Sequence, residues 1–185
     1  MLCGAVLCGG ASRRMGTDKA LLPFDGVPMA VRVASALRAA GCDPVVAIGG
    51  DVEALAALGL PVVPDEFPGE GPLGGVITAL GHFAQADAVV VVACDLPHLT
   101  SRSVNTLVTA HHGSSDQAVD VAMAGADRTQ PACAVWSPGV VGLLRSAFDA
   151  GERRLTAAVD SINGVVLTVD PQDLANVNTP GDLSQ

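Results

Sequence analysis

Ala88-Val89-Val90-Val91-Val92-Ala93 is a continuous apolar run with four valines in succession and no polar residue among them. Alternation would mark a strand with one wet face. Its absence across small and β-branched residues marks a strand buried on both faces, as in a parallel sheet covered by helices. Outward from it, shorter apolar runs recur at residues 4–7, 44–48, 60–63, 119–123, 132–136 and 165–169. Segments of helical period lie between them: 29–40, stopping at Gly41; 73–83, opened by Pro72; 101–111; 138–150; and 154–161. Glycine after a helix and proline in its first turn are the expected stop and start residues. Thr179-Pro180-Gly181-Asp182 reads as the capped start of a short terminal helix, and residues 111–117 as a Gly/Ser loop. This alternation predicts an α/β fold: a single-domain, three-layer α/β/α sandwich with a mainly parallel, Rossmann-like sheet.

Composition narrows the function classes. The chain has 185 residues, enough for one core, with 49% hydrophobic and 16% charged residues, which argues against disorder. Aromatic residues make up only 3%, so helices must pack closely on the sheet through small aliphatic side chains. A net charge of −9 supplies no basic footprint for DNA or RNA. A small anionic ligand needs only local donors and is not excluded. No run of about 18 apolar residues is present, and the first residues lack the basic start of a signal peptide, so neither a membrane span nor export is expected and the expected location is cytoplasmic. The five cysteines form no CxxC pair and read as small buried residues rather than ligands.

Leu7-Cys8-Gly9-Gly10-Ala11-Ser12-Arg13-Arg14-Met15-Gly16-Thr17-Asp18-Lys19 follows the first apolar run directly. At the carboxyl end of a parallel strand this is where α/β sheets bind ligands. Gly9 and Gly10 allow close main-chain approach to phosphate oxygens, and Arg13, Arg14 and Lys19 add cations; Lys19 is the one lysine of the chain. Neither GxGxxG nor the Walker pattern is present, which sets aside a dinucleotide dehydrogenase and a P-loop NTPase. Taken alone, a Gly-Gly pair with two arginines reads more readily as a solvated turn than as a phosphate site. Asp95 follows the run 88–93 and reads either as a ligand to a hard cation or as a turn cap before Pro97. His82, His98, His111 and His112 lack metal-ligand spacing, and Trp136 reads as core.

The thirteen-residue string with Leu21-Leu22 after it resembles the signature of the molybdenum cofactor guanylyltransferases, within the glycosyltransferase-A-like nucleotidyltransferases. Matching segments follow in order: Pro64-Asp65, Gly71-Pro72-Leu73-Gly74-Gly75, Cys94-Asp95-Leu96-Pro97, Gly151-Glu152-Arg153-Arg154 and Asn176-Val177-Asn178-Thr179-Pro180. The resemblance covers essentially the whole chain. It implies transfer of GMP from GTP to the phosphate of molybdenum-molybdopterin, with an N-terminal part for GTP and a C-terminal part for the acceptor. It places Leu7, Cys8, Gly9, Gly10, Lys19, Asp65, Gly71, Pro72, Leu73 and Asp95 at the nucleotide. Mg²⁺ falls on Asp95, and Lys19, Asp95 and Arg14 take the catalytic roles. Arg153, Arg154, Asn176 and Asn178 fall at the acceptor, and transient contact with cofactor-biosynthesis proteins or molybdoenzymes is implied, with no nucleic acid or membrane partner. Gly10 and Pro72-Leu73 match the guanine-specific members. Two departures stand out: Cys8 where the family usually has alanine, and Ala47-Ile48-Gly49-Gly50 without the asparagine common after the second strand. The rival readings are a cytidylyl- or sugar nucleotidyltransferase of the same fold and a catalytically silent GTP-binding regulator.

Overall fold

The computed structural model describes residues 1–9, 18–113 and 119–177. Gly10, Arg13, Arg14 and Asn178, the predicted terminal helix and residues 114–117 of the predicted loop therefore lie outside the described residues.

The run that fixed the fold class forms β6 (Ala88–Ala93) with the predicted bounds. It lies beside β1 (Leu2–Leu7), followed outward by β4 (Val45–Ile48) and β5 (Val62–Val63), all parallel. On its other side stand β8 (Thr129–Trp136), β7 (Val121–Gly125) and β9 (Gly164–Thr168), giving the order β5-β4-β1-β6-β8-β7-β9. β8 is antiparallel to both β6 and β7, so the sheet is mainly rather than wholly parallel. The cause is covalent: only residues 126–128 join β7 to β8, far too few for a crossover. A two-stranded ribbon, β2 (Pro23–Phe24) with β3 (Val27–Pro28), stands apart.

Side chains of the central strands divide between two cores with period two. Val6, Val90 and Val92 face α1 (Met29–Ala39) and α4 (Ser101–His112), whereas Ala5, Val89 and Val91 face α3 (Pro72–His82), α5 (Val141–Asp149) and α6 (Leu155–Ala158). This is the three-layer sandwich read from the sequence. Trp136 is fully buried, and Gly41 takes the left-handed conformation (φ 93°) expected after α1. Gly74 and Gly75 let α3 seat closely: a Cβ at Gly74 would stand 2.7 Å from Phe67 Cβ, and one at Gly75 3.0 Å from Leu7. The start of α3 is thereby pressed against the end of β1.

Several boundaries differ from the periodic reading. α2 (Val52–Ala57) has no periodic signature, because six residues are too few to display one; Asp51 caps it through Ala54 N–H at 3.0 Å. α4 runs one residue past its expected end at His111, to His112, and His111 Nε2 meets Ser137 Oγ at 3.0 Å. Arg153 and Arg154 do not begin a helix. Glu152 Oε1 accepts both of their backbone N–H groups, at 2.9 and 2.8 Å, and helix starts only at Leu155.

Candidate active site

From β1 the chain moves to β4 and β5, then returns through α3 to β6 on the opposite side of β1. Strand order reverses between β1 and β6, and ligands of open α/β sheets bind outside the carboxyl ends at such a point. A cleft of about 980 Å³ opens there. Gly9 follows β1, Gly49 follows β4, Asp65 follows β5, Asp95 follows β6, and Pro72 opens α3; all of them line it, as do Leu7, Cys8, Lys19 and Gly71. Leu73 does not. It is fully buried beneath α3 and serves the core, because it falls on the inner side of that helix. A shallower concavity on α4, bordered by Arg102 and Asn105, contains none of the predicted residues.

Lys19 Nζ lies 3.0 Å from Asp95 Oδ2, with only 15% and 26% of the two side chains exposed. This pair joins the end of the glycine loop to the tip of β6. Lys19 is held by a 3-10 turn, Lys19–Leu21, whose Ala20 is fully buried. Asp18 caps the turn through Ala20 N–H (3.0 Å) and with its other oxygen accepts Asp51 N–H (3.1 Å). Nothing in the sequence singles out Asp18, and here it ties the loop to the segment after β4.

The main chain of the loop behaves differently from expectation at its start. The N–H groups of Cys8 and Gly9 both donate to Ile48 C=O, at 3.0 and 3.1 Å, prolonging the β1–β4 ladder. They are engaged, so phosphate-directed N–H groups would have to come from later in the loop. Opposite, Gly49 has φ 67°, and a Cβ there would meet Gly9 Cα at 3.2 Å. At Gly49 and Gly9 two backbones are in contact, and main chain lines the cleft.

Asp65 is fixed from below. Its Oδ1 accepts Phe67 N–H (3.0 Å) and the Thr78 hydroxyl (3.1 Å), while Oδ2 faces Gly9. Thr78, buried in α3, also accepts Glu66 N–H at 3.1 Å. Thr78→Val is expected to lower stability by about 1–3 kcal/mol in denaturant unfolding, since it strands the Glu66 donor and removes a partner from Asp65. Thr78→Ser, which keeps the hydroxyl, should recover most of the loss.

The C-terminal segment reaches the same place. Asp173 Oδ2 accepts the N–H (3.1 Å) and hydroxyl (2.5 Å) of Thr100 at the start of α4. Beyond it, Val177 N–H donates to Asp95 C=O at 3.0 Å, and Val177 packs on Phe24 and Met29. Asn176 is thus placed beside the Asp95 turn. Its Oδ1 is buried and has no partner among the described residues, a condition that calls for a donor or cation.

The two arginines predicted at the acceptor differ sharply. Arg153 Nε meets Glu70 at 2.6 Å, whereas Arg154 is 77% exposed and reaches only Glu152, at 3.4 Å. The Arg154 N–H and guanidinium, with the Arg153 N–H, hold the Glu152 carboxyl down at about 2. Cys8 and Cys94 are buried at the cleft floor, and their mutual hydrogen bond together with burial pushes the Cys8 thiol well above its ordinary value. It stays protonated and packs, as do Cys42 and Cys133, each pushed up to about 12 by burial.

Among the described residues no group of three or more His, Cys, Asp or Glu side chains could hold a metal ion. The Asp95 carboxylate suits Mg²⁺ carried in part by phosphates, because that ion is usually bound through one or two carboxylates plus substrate oxygens; the Asn176 oxygen is buried, and Asn176 is not among the residues that line the cleft. Among the described residues no helix is long and apolar enough to cross a membrane.

Comparison with known proteins agrees with this geometry. The family model described as the MobA-like NTP transferase domain matches residues 4–163. The molybdenum cofactor guanylyltransferase of Cereibacter sphaeroides is 37% identical, with 100% of this chain and 94% of that one aligned. The probable molybdenum cofactor guanylyltransferase of Methanothermobacter thermautotrophicus is 33% identical over 97% and 95% of the two chains. Among solved structures, the molybdopterin-guanine dinucleotide biosynthesis protein A of Archaeoglobus fulgidus superposes with a TM-score of 0.78 at 23% identity, covering 99% of this chain and 95% of that chain, and so shares the fold. The matched family model and the two full-length relatives show that this chain belongs to the MobA-like NTP transferase family.

Proposed function

We propose that the chain transfers GMP from GTP to the terminal phosphate of molybdenum-molybdopterin, forming the guanine dinucleotide cofactor and releasing pyrophosphate. The observation that carries this reading is the Lys19–Asp95 pair at the mouth of a cleft built from four parallel strand ends, in a chain whose full-length relatives bear the guanylyltransferase name. The N-terminal strand ends would hold GTP, and the segment around Arg154 and Asn176 the acceptor. Transient docking to cofactor-biosynthesis proteins or molybdoenzymes belongs to the same reading.

The acceptor phosphate is already ionised, so no general base is required, and catalysis reduces to positioning and charge neutralisation. Lys19 turns from Asp95 to phosphate oxygens, held in reach by its capped turn. Asp95 would hold Mg²⁺, which when bound neutralises phosphate charge. Asp65 offers its remaining oxygen to donors on the ribose or the base. Arg14, and Asn178 beyond Asn176, are assigned their roles, leaving pyrophosphate and acceptor respectively, on the family resemblance alone.

Incubation with molybdenum-molybdopterin, Mg²⁺ and each of GTP, CTP, UTP and ATP, followed by pyrophosphate release and product mass, tests the reading. GTP should exceed the others by about 100-fold or more in kcat/KM, as expected where hydrogen bonds read a base. A preference for CTP would reassign the chain as a cytidylyltransferase. GTP binding without turnover would make it a silent regulator.

A further inference from the structure

The loop before α3 and the turn after α5 meet in a four-layer stack. Residues 66–70 present Glu66, Phe67 and Glu70; α5 and its following turn present Arg145, Phe148 and Arg153. Arg145 bonds Glu66 at 2.6 Å and lies 5.3 Å from the Phe67 ring centre. Phe67 packs on Phe148 with centroids 4.5 Å apart, and Arg153 covers Phe148 at 3.8 Å. Arg153 then bonds Glu70 at 2.6 Å and donates to the carbonyls of Phe148 and Glu152 at 2.7 and 2.9 Å. Its guanidinium is committed to a carboxylate, two carbonyls and a ring face. Arg154, its neighbour, is not comparably engaged.

We infer that Arg153 is a positioning residue for the nucleotide side of the cleft and not an acceptor ligand, so that of the two arginines only Arg154 keeps the acceptor role given above. This rests on the functional reading above. Pro68, Gly69 and Gly71 of the braced loop line the cleft, and Asp65 and Pro72 flank it. Gly69 and Gly71 both sit at positive φ, 85° and 91°, so the loop has much conformational freedom to lose on ordering. An isolated exposed ion pair stabilises little. A planar guanidinium that stacks and donates in several directions at once holds geometry in a way a lysine cannot. The family resemblance placed both arginines at the acceptor; the partners that set Arg153 apart, Glu70 and Phe148, carry no local signal in the sequence.

The test is GTP binding with Mg²⁺ and no acceptor, by calorimetric titration, alongside KM for the acceptor in turnover. Arg153→Ala and Glu70→Gln should each weaken GTP by about 5- to 10-fold, the scale of one charge-assisted hydrogen bond acting through the loop it braces, and the double variant should add little. Arg153→Lys should recover only part. Arg154→Ala should leave GTP affinity within about twofold while raising acceptor KM by about tenfold, the scale of one charged hydrogen bond to the acceptor. Wild-type GTP affinity in both Arg153→Ala and Glu70→Gln, with acceptor KM raised by Arg153→Ala, overturns the inference and leaves the functional reading intact. A wild-type chain that binds none of the four nucleoside triphosphates overturns both. If Arg153→Ala does not fold, Glu70→Gln decides, since it removes one charge and no heavy-atom volume.

Discussion

Asp95→Ala is expected to reduce kcat for nucleotidyl transfer by at least about 100-fold, the scale on which groups that stabilise developing charge act. The variant isolates chemistry from folding. Asp95 receives the C-terminal segment through its carbonyl, from Val177 N–H at 3.0 Å, so that bond survives loss of the side chain. The carboxylate itself bonds Lys19, in a partly exposed pair whose removal should change stability by no more than about 1 kcal/mol. Asp95→Asn should be nearly as impaired, because it keeps the shape and loses the charge that a hard cation requires. Thermal unfolding beside steady-state rates at saturating Mg²⁺ separates the effects. Near-normal turnover in Asp95→Ala would remove this residue from the catalytic machinery.

How much of this could be read in the chain depended on whether the signal was local. The valine run 88–93 announced β6 with its bounds, since a strand buried on both faces needs no partner to be recognised. The hairpin turning β8 against β7 was hidden, because Ala126-Asp127-Arg128 looks like any polar linker between crossover units. At the cleft, residues at strand ends were legible because parallel topology gathers those ends at one edge. The residues that fix them were not. Thr78 orients Asp65 from the next element, Asp18 crosses to Asp51, and Asp173 reaches back 73 residues to Thr100. Such partners have no period and no fixed spacing. Gly9 shows the converse: its type predicted main-chain donation to phosphate, and the neighbouring strand had already taken that donor.

Lys19→Ala should lose at least about 100-fold in kcat/KM, with KM for GTP raised as well as kcat lowered. Lys19 would touch the triphosphate before and during reaction, so its loss weakens ground-state and transition-state binding together. The turn that carries it should survive, since Asp18 caps it and buried Ala20 anchors it. Lys19→Ala combined with Asp95→Ala should cost far less than the product of the single losses, because the two side chains bear on the same phosphate charge and are 3.0 Å apart. A fully multiplicative loss would mean that they act on separate steps. The chain offers an independent check that needs no turnover. Lys19 is its one lysine, so an amine-directed reagent can modify only this side chain and the N-terminal amine. GTP with Mg²⁺ should protect Lys19 and leave the N-terminus reactive, as read by peptide mass. Equal labelling of Lys19 with and without nucleotide would place it away from the phosphates.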